Sequence, residues 1–315
     1  MAKDKKASNG RKIAKSKSQG LWRKIKQSKS SYLLMAPYMI FFITLTVIPV
    51  LAAVGLSFTS FNMLQPPKFI GLVNYERMIL DDPVFLKVLK NTIVFAFLTG
   101  PLSYILSFLF AWMINDLGKR LRPILTMIFY IPVLSGNVYF VWSFLFSSDA
   151  HGIINGLLMN LGILQDPVAW LIDQNTIMAV LIIVQLWLSL GTGFLAFIAG
   201  FQGMDNSIYE AGAIDGVRNR WQELFYLTVP SMAPMLLFSA VMQIGASFGV
   251  SAVIVSLAGF PTTQYSADTL VTYIMDVGTI RFEMGYASTI AVFLFVMMLL
   301  TNFVITRALR KFSTD

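Results

Sequence analysis

Six stretches of this chain run for more than twenty residues each without an Asp, Glu, Lys or Arg, and that leaves few folds open. They cover residues 33–58, 92–114, 124–146, 177–199, 231–257 and 285–306. Hydrocarbon offers a backbone no water, so each run must satisfy its own N–H and C=O groups as a helix. About 20 residues at 1.5 Å each cross the ~30 Å apolar core. The expected fold is all-α: a polytopic membrane protein with six transmembrane helices. Only 13% of the 315 residues are charged, where soluble domains carry about 25%.

The remaining charge is informative by its position. The net charge is +8, and eleven of the 24 Lys and Arg lie in residues 1–30, ahead of the first apolar run. That places the charge at a membrane flank and gives no reason to expect a nucleic-acid partner. Counting all segments outside the spans, 19 basic residues fall on the side of both termini and five on the other. The positive-inside rule then puts both termini in the cytoplasm. The tail 1–30 is too polar and too long to read as a cleaved signal. Leu21, Trp22 and Ile25 among Arg23, Lys24 and Lys26 suit a short interfacial helix on anionic membrane lipid, and a solvated tail fits equally well. With no Cys and a single His151, disulfides and thiolate sites are excluded and a zinc site lacks ligands.

The outer segments give little. Residues 147–176 contain no Lys or Arg, and Asp149, Asp166 and Asp173 read as solvated loop carboxylates. Residues 225–267 are uncharged for 43 positions, bracketed by Pro230 and the Ala258-Gly259-Phe260-Pro261 turn. A short external helix is expected from Leu270 to Gly278.

Between the fourth and fifth spans, on the cytoplasmic side, lies a charge-bearing island, 205–230. Ser207 followed by Glu210 has the spacing of a capping box, Gly216 supplies a stop, and Asn219 with Gln222 starts a second helix. Pro230 marks the start of the next apolar run. The sequence Glu210-Ala211-Gly212, then Asp215-Gly216, then the apolar turn closing in Val229-Pro230, resembles the EAA loop of ABC importer permeases of the carbohydrate-uptake, maltose-type family. Leu72–Ile79, LVNYERMI, is similar to a segment after the first span in that family. The likeness covers roughly 31–312. It implies a type I importer fold in which 205–230 is the coupling helix seated on a separate ATPase. It further implies a second, non-identical permease, an ATP-binding subunit dimer holding ATP and Mg, and an extracellular solute-binding protein delivering a carbohydrate.

The spans also carry neutral polar stripes. Gln185, Ser189 and Thr192 share one face of the fourth span, and Ser239, Gln243, Ser247 and Ser251 recur every four residues on the fifth. With Trp187, Leu188 and Phe248 beside them, they offer amides, hydroxyls and ring faces suited to a sugar. They are equally the small polar residues that pack helices in lipid. Gln185–Thr192 and Ser247–Ser251 resemble the substrate-contacting segments of maltose-type permeases. Asn137, Tyr139 and Trp142 are further candidates on the third span.

No catalytic motif occurs. The chain has no phosphate-binding G-x-x-x-x-G-K-[ST] loop and no paired intramembrane carboxylates, so it is expected to be no enzyme and to hold no cofactor. Two other classes stand beside the importer reading. An ion-coupled sugar carrier would need internal repeats and intramembrane charge. A non-transporting assembly protein would use the stripes for packing alone.

Overall fold

The computed structural model describes residues 28–135 and 138–313, apart from the side chains of 192 and 309–313. Residues 1–27 of the basic tail, Asn137 and the Thr192 side chain therefore lie outside the described residues. The chain divides into two units at Gly55/Leu56. The first holds the apolar helix α1 (Lys29–Leu56), which includes Pro37 and a five-residue π-turn at Ile43–Val47.

The second unit opens with a two-stranded hairpin, Thr59–Ser60 paired antiparallel with Lys68–Phe69. Next comes α2 (Pro83–Asn115), then α3 (Leu121–Leu134) and α4 (Val138–Leu145), with α5 (Ile153–Asn160) in the following loop. The fourth span is α6 (Ile177–Leu188) and α7 (Thr192–Gln202). The island is α8 (Asn206–Ile214) and α9 (Arg220–Ser231), and the fifth span is α10 (Ala233–Phe248) and α11 (Ala252–Leu257). A shorter apolar helix, α12 (Leu270–Ile280), precedes α13 (Met284–Ser313).

Several boundaries differ from the sequence expectation. α2 starts at Pro83 and not at 92, because Asp82 caps it. Its carboxylate accepts the N–H groups of Val84 and Phe85 at 3.0 and 3.1 Å, and Pro83 needs no partner at the first position. The third span is two helices bent by 82°, and the fifth begins at Ala233 after an 80° bend from α9. Pro230 therefore lies inside α9 and does not mark the start of a span.

At 33 residues, α2 is about 50 Å long and joins all three cores. Near its start Phe85 and Val88 pack with Tyr273, Tyr286 and Ile290. Midway Phe95 meets Ile177, Leu181 and Ile254. At its far end Ala111 and Ile114 meet Phe194, Phe197 and Met232. Lipid is as apolar as these side chains, so close packing and interhelical hydrogen bonds hold the bundle. Ser239 Oγ donates to the Gly193 carbonyl at 3.1 Å and Tyr104 OH to that of Leu236 at 3.3 Å.

Hydrogen bonds and ion pairs fix α12 and the segments that flank it. Asp268, fully buried, accepts the Thr262 N–H and the hydroxyls of Thr262 and Thr272. Asn91 donates to the carbonyls of Tyr265, Ser266 and Asp268. Arg77 pairs with Glu283 at 2.6 Å, and Arg281 with Asp276 at 2.6 Å. Among the described residues, the Asp149 and Asp173 carboxylates accept only from neighbours two positions away, Ser147 and Asn175.

Asp82 also accepts the hydroxyls of Tyr273 and Tyr286. Partial burial alone would raise its pKa; the tyrosine hydroxyls and two N–H groups outweigh burial and hold it below the ordinary carboxylate range. Its charged form therefore stabilises the fold above the unfolded value of about 3.9, and that contribution is lost as pH falls through the lower folded value. Thermal melts of the purified chain in detergent should fall more steeply below about pH 4 for the natural protein than for Asp82→Asn. Parallel pH profiles would exclude Asp82 as a source of acid sensitivity.

Candidate functional site

The island begins at Asp205, whose carboxylate accepts the Ser207 N–H at 3.0 Å. Ser207 is thus inside α8 and is not its cap, which corrects the Ser207–Glu210 capping box. Two good capping residues stand two apart, and the carboxylate is the one placed ahead of the helix. That bond holds the exposed Asp205 carboxyl below its usual range.

Gly216 ends α8 with φ +92°, a left-handed value. The Val217 N–H then reaches the Gly212 carbonyl at 2.9 Å and the Gly216 N–H reaches Ala213 at 3.4 Å, the paired bonds of a Schellman stop. Asn219 caps α9 through the Gln222 N–H at 2.8 Å, and Gln222 Oε1 accepts the Arg218 N–H at 3.0 Å.

The two island helices are locked together. A Cβ at position 212 would stand 2.5 Å from Leu227 Cδ1, so glycine there permits the close approach of α8 to α9. Tyr209 OH meets the buried Thr228 hydroxyl at 3.2 Å. α9 is also tied to the end of α2, through the Arg220–Asp116 ion pair and the Trp221 ring 5.3 Å from Trp112. Glu210, Ala211, Asp215 and Gly216 are exposed, and Ile214 is 87% exposed. This helix lies outside the candidate spans.

The second constellation is in the membrane. The third span leaves its helix at Ser135, and the fourth and fifth lose theirs at 189–191 and 249–251; the flanking segments line two adjoining cavities. One of about 110 Å³ is lined by Thr99, Ser103, Gln185, Ser189, Gln243 and Ser247, among others. Its neighbour, about 270 Å³, is lined by Ser135, Tyr139, Gln185, Gly249 and Ser251, among others. Gln185, Leu188 and Ala246 belong to both. Irregular backbone at membrane depth is tolerated where it faces a polar cavity, and it presents carbonyls and N–H groups there.

Gln243 and Gln185 differ in a telling way. Gln243 Nε2 donates to Ser107 Oγ at 3.3 Å and the Ser189 carbonyl at 3.4 Å, bracing the break in the fourth span. The Gln185 side chain has no hydrogen bond to a described residue and borders both cavities. No described residue lining either cavity is charged.

Two of the expected residues border neither of these cavities. Trp187 packs edge-on against Trp142 at 5.3 Å, 40% exposed. Phe248 is buried in the outer core with Phe85 and Tyr286 and borders neither cavity. The helix break after Leu188 and the one after Phe248 end the regular spacing on which the shared-face argument rested. Ser239 is consumed by packing. Thr99 and Ser103 were not expected, although Thr99, Ser103 and Ser107 repeat every four residues on α2 as the serines do on α10.

Residues 103–314 match the family described as binding-protein-dependent transport system inner membrane component. The probable ABC transporter permease protein YesP of Bacillus subtilis is 33% identical over 84% of this chain and 85% of its own length. The lactose transport system permease protein LacF of Rhizobium radiobacter is 30% identical, covering 90% of this chain and 94% of its own. Among solved structures, a bacterial ABC transporter involved in the import of the acidic polysaccharide alginate has a similar chain. It superposes with TM-score 0.76 at 24% identity, covering 92% of this chain and 98% of that one.

Proposed function

The chain belongs to the family of binding-protein-dependent transport system inner membrane components, and from that premise we propose what it carries and how. It is a membrane-embedded permease subunit of an ABC importer and not an enzyme. Its substrate in this reading is a neutral sugar or oligosaccharide, delivered from outside by a solute-binding protein. The observation that carries the substrate class is the uncharged cavity pair at the three broken spans, whose amides, hydroxyls and free backbone groups can both donate to and accept from sugar hydroxyls. The relatives' names, lactose among them, support the same class.

In this reading both termini and the island face the cytoplasm. There Glu210, Ile214 and Asp215 dock on a separate ATPase, which binds ATP and Mg, and a second permease completes the path. ATPase closure moves α8 and α9. The Arg220–Asp116 pair and the Trp112–Trp221 contact transmit that motion to α2, which lines the smaller cavity through Thr99 and Ser103. Loaded binding protein and ATP supply the differential affinity that such a shift requires.

The test is purification of the tagged full chain from its native membrane in mild detergent, then reconstitution. A second permease, a Walker-motif ATPase and a solute-binding protein should copurify, and the proteoliposomes should accumulate neutral oligosaccharide only with ATP. Recovery of the chain alone, or uptake that follows an ion gradient without ATP, would overturn the reading.

A further inference from the structure

A second crevice, away from the path, has a different chemistry. It lies where the loop after α2 turns into α3, beside α7, and has a volume of about 590 Å³. At one end stand Lys119 and Arg122; along the wall run Tyr130, Leu195 and Ile198. Lys119 is exposed and has no partner among the described residues, and Arg120 beside it is likewise exposed. The Arg122 guanidinium donates to the Asn115 carbonyl at 2.6 Å, which fixes it in place, and its buried Nε–H has no partner among the described residues.

We propose that this crevice binds one anionic phospholipid, with the phosphate between Lys119 and Arg122 and an acyl chain along Tyr130, Leu195 and Ile198. Charge and depth both favour that occupant. Tyr130 lies eight residues beyond Arg122 on α3, about 12 Å deeper along the helix, so the crevice runs from a basic loop into the apolar level of two spanning helices. A free phosphate makes no use of the apolar wall. Basic pockets between spans on the cytoplasmic side are the sites where acidic headgroups are held, and each basic residue near such a headgroup changes binding about fivefold.

Native mass spectrometry of the full chain in its purified complex, titrated with phosphatidylglycerol or phosphatidylcholine, tests this. One phosphatidylglycerol should be retained in preference to phosphatidylcholine. Lys119→Gln should weaken retention about fivefold and Lys119→Gln with Arg122→Gln about 25-fold. Because Arg122 also braces the Asn115 carbonyl, Leu195→Trp provides an independent check: it keeps both charges, narrows the wall and should lower retention as well. Equal retention of the two lipids, or unchanged retention in Lys119→Gln and Leu195→Trp, would overturn the site. Displacement of the lipid by millimolar inorganic phosphate would show a simple anion site instead.

Discussion

Replacing Gly216 by valine should nearly abolish substrate uptake by the reconstituted importer while ATP hydrolysis continues. Position 216 has φ +92°, a conformation that a β-branched residue enters only at a cost of about 1–3 kcal/mol. The backbone would relieve that strain by opening the Schellman stop, releasing the Gly212 and Ala213 carbonyls and reorienting α8 against α9. The ATPase carries its own chemistry, so the expected loss is in molecules moved per ATP, by tenfold or more for a strain of about 1.4 kcal/mol or greater. Gly216→Ala should fall between the natural chain and the valine variant, since alanine tolerates the left-handed region at about 1–2 kcal/mol. A valine variant with undiminished transport per ATP would mean that the island does not couple the two activities.

The second large effect is expected at the paired glutamines, and the two should fail differently. Gln185→Leu breaks no bond to a described residue, so folding and complex assembly should be unchanged. It removes an amide from the wall shared by both cavities, and a neutral hydrogen bond is worth about 0.5–1.5 kcal/mol. Uptake at low substrate should therefore drop about three- to tenfold, with the loss differing between sugars. Gln243→Leu strips the Ser107 hydroxyl and the Ser189 carbonyl of their donor, and buried groups left unsatisfied cost about 1–3 kcal/mol each. Its melting temperature should fall with its activity. Transport by Gln185→Leu indistinguishable from the natural chain, for every sugar carried, would return that residue to helix packing.

Sequence reached the spans and the island because both are written in charge. A run without Lys, Arg, Asp or Glu is legible by counting, and so is a cluster such as Glu210, Asp215, Arg218 and Arg220 between two such runs. The breaks were not legible in the same way. Ser135, Ser189-Leu190-Gly191 and Gly249-Val250-Ser251 are small or neutral residues, so apolar character continues across them while the helix does not. Projecting Gln185, Ser189 and Thr192 onto one straight helix brings out Gln185, which borders both cavities, and does not foresee that the Trp187 ring packs against Trp142. Phe248 is the last residue of α10 and packs with Phe85 and Tyr286. Asp205 was overlooked as a cap because Ser207 offered an equally good local signal, and only the chain's path chooses between them.

The three interrupted spans also bear on what the vacant path must contain. A continuous helix has already satisfied its peptide groups; one that stops in mid-membrane leaves several turned toward the cavity, and something must meet them. On the function proposed above, that partner is water between deliveries. A sugar reaching Gln185 would then exchange places with hydration, and its net gain over water would be small. Weak retention follows directly, and for a conduit it is an advantage, because cargo held loosely at the midpoint is cargo that leaves on the far side. In that reading a hydrated midpoint offers little resistance to small solutes, so sealing the two ends of the path in alternation would be as much a part of the chain's task as recognising the sugar.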